Sequence, residues 1–134
     1  MSGFSNHMAQ AVINHFLRNI SQTPPAALYL ALFTGDPTDV TATALSQEIV
    51  AGWYARQLIQ FEAPSDAADV ETANTNTCTF NAVATATVTA TNWGIFDAST
   101  NGNLMCSAAF DAPRVYNVDD VPKVLPGDIT LNFI

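Results

Sequence analysis

Apolar and polar positions change period along this chain, and the changes mark its elements. Over residues 4–20, Met8, Val12, Phe16 and Ile20 recur at every fourth position, with Ile13 and Leu17 beside them. That spacing predicts one amphipathic helix. Ser5 stands where its side-chain oxygen accepts a free amide at the helix start. Arg18 suits the C-terminal end of the helix dipole, and Pro24-Pro25 forbid continuation. The other side carries His7, Gln10, Asn14 and Arg18, so the helix is expected to lie on a sheet or a neighbour rather than run through a core.

Residues 26–34 hold the dense run Leu28-Tyr29-Leu30-Ala31-Leu32-Phe33 before Gly35-Asp36-Pro37, which predicts a strand buried on both faces. Residues 40–50 are ambiguous, with room for a short helix at 44–49. Residues 52–61 alternate, and their aromatic and β-branched content favours a strand. Residues 62–76 carry four acids and read as a solvated loop. In 77–91, Thr85, Thr87, Thr89 and Thr91 share one parity and the alanines the other, a period of two that argues for a strand. Such small side chains bury little, so that strand is expected to lean on ladder hydrogen bonds and neighbours, including another subunit.

The centre of the sheet is expected at 92–110. Trp93, Ile95 and Phe96 lead into a polar span with Asn101-Gly102, and a second apolar run, 104–110, returns. Asn-Gly tolerates positive φ, so a hairpin with a loop longer than two residues is predicted. A turn at Ala112-Pro113, a short strand over 114–118 and a Pro126-Gly127 type II turn follow. A closing strand over 129–134 points Ile129, Leu131 and Phe133 inward. The expected fold is mainly β, an antiparallel β-sandwich or partly closed barrel with one N-terminal α-helix, in a single domain over 1–134.

Composition narrows the function. The chain has 134 residues, 49% of them hydrophobic, enough for a core, but only 12% charged. That is about half the usual share. A surface so poor in charge favours contact with another protein over contact with water. The net charge of −8 rests on four scattered cations, Arg18, Arg56, Arg114 and Lys123. No cluster lines up on phosphates, which argues against nucleic acid and anionic membranes. No run approaches the ~20 apolar residues of a membrane span, and the start lacks the pattern of a signal peptide.

No catalytic, cofactor or metal site emerges. His7 and His15 are about 12 Å apart along the predicted helix, too far to share a metal. Asp36, Asp39, Asp97, Asp119, Asp120 and Asp128 stand where turns favour Asp. Cys78 and Cys106 lack a metal or redox spacing and read as buried thiols. Asn19-Ile20-Ser21 matches a glycosylation acceptor without a secretory signal. Trp53, Tyr54, Trp93 and Tyr116 would suit sugar faces, against core packing as the plainer account.

Several blocks along nearly the whole chain resemble a family of small virion structural proteins of tailed bacteriophages, described as tail-fibre-like or minor structural proteins. They are the N-terminal helix, residues 24–39 with Leu-Tyr-Leu-Ala-Leu-Phe-Thr-Gly-Asp-Pro, Tyr54-Ala55-Arg56-Gln57, Trp93-Gly94-Ile95-Phe96-Asp97-Ala98 leading to Gly102-Asn103-Leu104, and Pro126-Gly127-Asp128-Ile129-Thr130-Leu131. Before Tyr54 the chain has Ala51-Gly52-Trp53 where the family is richer in Gly, and 119–124 departs from its usual turn. The resemblance implies a non-enzymatic virion protein without cofactor, made in the host cytoplasm and associating with itself, as a trimer or ring, and with other virion proteins. Tail placement, in a fibre or baseplate, is expected first and capsid decoration second. A host-surface glycan is a conceivable ligand, and a carbohydrate-binding module is the alternative from another class. The contact surface is expected on the polar face of helix 4–20 and along Thr85–Thr91.

Overall fold

The longest apolar runs form the longest strands. In the computed structural model, which describes residues 3–37, 47–65 and 68–132, Leu28–Phe33 (β2), Val88–Phe96 (β6) and Leu104–Tyr116 (β7) make the middle of one antiparallel sheet. Gly3–Phe4 (β1) and Gln57–Ile59 (β3) close its edges, in the order β1-β7-β6-β2-β3. Two short antiparallel pairs complete the strands: Glu71–Ala73 (β4) with Thr130–Asn132 (β9), and Cys78–Thr79 (β5) with Lys123–Val124 (β8). Strands account for 39% of the residues and helix for 10%, a β-sandwich-like arrangement without a closed barrel.

The two faces of the large sheet pack differently. Leu30, Leu32, Trp93 and Ile95 meet Cys78, Val124 and Leu131 of the smaller pairs, and Phe80 and Ile129 next to them, in the main core. Ala31, Phe33, Phe96 and Leu104 form a second, smaller cluster. Gly94 is required there. A Cβ at that position would stand 2.8 Å from Phe33 Cε2 and 2.9 Å from Leu104 Cδ1.

The central hairpin forms as expected. Asn101 and Gly102 take φ of 54° and 75° in its loop. At the Pro126-Gly127 turn, Gly127 has φ 85° and the Asp128 amide donates to the Leu125 carbonyl at 3.0 Å. Cys78 and Cys106 are both buried, unpaired thiols. Burial raises their pKa to about 11 and about 12, respectively.

Five expectations change. Residues 62–76 are not a solvated loop throughout, since Glu71–Ala73 form β4 and Asn74 is buried. The helix is α-helical only over Asn6–Val12 (α1) and continues as a π-helical turn, Ile13–Leu17. Ser5 Oγ does cap its start, accepting from the Met8 amide at 3.0 Å. In this turn the bonds widen to i→i+5, with Arg18 N–H on the Ile13 carbonyl at 3.1 Å. Ile13, Phe16, Leu17 and Ile20 are exposed rather than turned to the sheet. The strand expected over 52–61 shrinks to β3, because Trp53 and Tyr54 turn inward to the core. The alternation over 77–91 is broken: β5 ends at Thr79, β6 begins at Val88, and Thr85 and Thr87 lie in an exposed connection. Ala112-Pro113 is no turn. Ala90 pairs with Arg114 and Asn92 with Ala109, so residues 110–113 bulge out of a continuous β7. Proline, which has no amide to give the ladder, is accommodated by such a bulge.

The possible helix at 44–49 lies mostly outside the described residues, as does the inward position expected for Phe133. Glu48 forms an isolated bridge to Phe33.

Candidate functional site

The structure does not gather the residues that sequence singled out for chemistry. Among the described residues, no group of three or more His, Cys, Asp or Glu side chains is placed to hold a metal. His15 accepts a long bond from the Gln22 amide at 3.4 Å and lies edge-on to Phe16. Trp53 and Trp93 are buried, and Tyr54 stacks on Phe80 inside the core, so none presents an open face to a sugar. The Tyr116 hydroxyl is buried without a hydrogen-bond partner among the described residues.

The acids mostly organise turns. Asp97 Oδ1 accepts the Asn103 amide at 2.6 Å, and Oδ2 accepts Asn103 Nδ2 at 3.0 Å, closing the hairpin loop. Burial acts to raise the Asp97 pKa, but these bonds, with His7 nearby, outweigh it and hold the carboxyl below its usual value. Asp120 Oδ2 accepts the Asn117 amide at 2.7 Å, and Asp119 takes φ 75° in the same turn. Asp39 lies outside the described residues.

One buried polar network was not visible in the sequence. Arg56 grips Glu48 through Nε–Oε1 and Nη2–Oε2, both 2.8 Å. Its Nη1 donates to the carbonyls of Ala98 and Asn101 at 3.0 and 2.7 Å. Its guanidinium carbon lies 3.6 Å from the Phe96 ring centre. The Tyr54 hydroxyl donates to Glu48 at 2.8 Å and accepts the Leu32 amide at 3.1 Å. Burial first, and the neighbouring Glu48 charge second, push the Tyr54 pKa far above that of a free phenol. The network joins β2, the segment before β3 and the hairpin loop, and so unites three of the blocks that carry the family resemblance. Every polar end in it is satisfied within the fold, which marks it as structural.

Two surface features remain. The first is a groove of about 540 Å³ beside the β7 bulge, facing β9. It is lined by Trp93, Phe110, Asp111 and Arg114, and by Asp128 and Thr130. Arg114 covers the Phe110 ring at 4.3 Å and reaches Asp128 Oδ2 at 3.3 Å. The lining has no His, Cys, Ser or Lys; it sets the exposed Ala109, Ala112 and Pro113 among Asp111, Arg114, Asp128 and Thr130. The second is the π-helical arm, where Phe16 is 75% and Leu17 78% exposed. Large apolar side chains this open are the signature of a contact surface.

The sequence model of the family described as podophage GP4 fiber I protein gp80 matches residues 3–132. The chain belongs to this family. The match spans all the described elements, from β1 to β9, and agrees with the resemblance to tail-fibre-like phage proteins. No curated protein matches the chain significantly. Membership in the gp80 fibre family places the arm and the groove on a phage fibre protein. Among the described residues, no helix is long and apolar enough to cross a membrane.

Proposed function

We propose that this chain is a non-enzymatic structural component of a bacteriophage virion, located at the tail as part of a fibre or baseplate and associating with copies of itself and with other virion proteins. The family match across residues 3–132 carries the reading. The exposed arm supports the self-association, since Phe16 and Leu17 find no cover within the described fold. The chain acts as one domain, its small strand pairs sharing the main core with the large sheet. Its working location is the virion. Capsid decoration is the competing placement, and copy number separates the two. Glycan binding draws little support, because Trp53 and Trp93 are committed to the core.

Sedimentation velocity on the purified chain tests the self-association. A concentration-dependent trimer or larger ring is expected. A monomer at every concentration, together with its absence from purified particles, overturns the proposal.

A further inference from the structure

Charge divides this chain unevenly. Residues 1–34 contain Arg18 and no Asp or Glu, a formal charge of +1. Residues 35–134 hold the other three cations and all twelve acids, a charge of −9. The exposed apolar arm belongs entirely to the acid-free part. Ile13, Phe16, Leu17 and Ile20 face outward there, and Arg18 stands among them, held only by an exposed bond from its Nη1 to Asn14 Oδ1 at 2.9 Å. The groove beside the β7 bulge belongs to the acidic part. Its lining includes the exposed Ala109, Ala112 and Pro113, and the Asp111 carboxylate beside them has no hydrogen-bond or ion-pair partner among the described residues. One surface is apolar and cationic, the other concave and acidic, and both are on the same polypeptide.

We infer that the arm of one copy seats in the β7–β9 groove of a second copy, with Phe16 and Leu17 against Ala109, Ala112 and Pro113 and Arg18 paired with Asp111 of the neighbour. This deepens the proposed self-association and rests on it. The fit is chemical at each point. Apolar side chains lose water against the exposed alanines and proline. A guanidinium meets a carboxylate that lacks a cation. Like-signed alternatives are disfavoured, because two acidic bodies meeting without the arm repel. The π-helical turn carries Phe16 and Leu17 with both side chains exposed and uncovered by the described fold.

Charge reversal in the full-length chain tests the pairing. Arg18→Asp and Asp111→Arg are each expected to weaken self-association about tenfold to a hundredfold by sedimentation equilibrium, the worth of one charge-assisted contact. The double variant, or a mixture of the two singles, is expected to recover most of the loss. Phe16→Ser/Leu17→Ser is expected to abolish association while leaving the far-ultraviolet circular dichroism unchanged, because both residues are exposed in the single chain. A photo-crosslinking residue at position 16 is expected to capture the segment 108–114 or 128–132 of another copy. If the wild type associates but neither reversal changes its affinity, or the crosslink maps elsewhere or to a different virion protein, the arm-to-groove contact is wrong while self-association stands. A wild type that stays monomeric removes both.

Discussion

Replacing Arg56 with Ala separates a structural network from a decorative surface pair. The Arg56 and Glu48 side chains are only 7% and 15% exposed, so solvent screens their pairing weakly. Removing the guanidinium deletes two bonds to Glu48, two to loop carbonyls and the contact with Phe96. It also leaves the Glu48 carboxylate buried, with the Tyr54 hydroxyl as its remaining donor. Breaking a buried pair from one side costs about 3–5 kcal/mol, a large part of the ~5–15 kcal/mol that holds a domain together. With a urea slope of about 1–3 kcal/mol/M, the unfolding midpoint falls by on the order of 2 M. Arg56→Lys keeps the charge but cannot reproduce the planar two-point grip, and it is expected to lose about 2 kcal/mol. Trp53 and Trp93, both in the core, report unfolding by fluorescence. A loss below about 0.5 kcal/mol for Arg56→Ala, within the range of ordinary surface changes, refutes the reasoning. So does an Arg56→Lys variant as stable as the wild type.

Four further variants probe the fold. Asn74→Ala removes the acceptor of the Ile129 amide, at 2.9 Å, and the donor to the Asn76 and Leu125 carbonyls; urea unfolding should show a loss of about 2–3 kcal/mol from the amide left buried. Gly94→Ala forces a methyl against Phe33 and Leu104 and should cost about 1–3 kcal/mol in the same assay. The lowered pKa of Asp97 gives stability that is present above the unfolded carboxyl pKa and lost as pH falls through the folded one, so Asp97→Asn should flatten the acid limb of a pH–stability curve. Tyr116→Phe removes an unpartnered buried hydroxyl and should leave thermal stability equal or higher.

Local patterns were legible wherever one face or one loop decided the structure. The run 28–33 could only be a buried strand, and Asn101-Gly102 could only reverse the chain. The period of two over 77–91 misled because Thr and Ala alternate without large side chains to bury; nothing in their packing outweighs an exposed connection. The helix was located correctly, but its inward face was not. A π-turn changes the angle between successive residues and leaves no mark in composition. The Arg56–Glu48 grip and the Asn74 tie to Ile129 join residues far apart in sequence, and a single sequence does not display such pairings. The groove was illegible for the same reason: it depends on four residues of β7 bulging opposite one residue of β6.

The most direct test of the whole account is to count and locate the chain on intact particles, by immunogold labelling with quantitative mass spectrometry. The account predicts a small number of copies confined to the tail. Label spread over the head in many copies would make the chain a capsid decoration protein, and no label on any particle would contradict a virion role altogether.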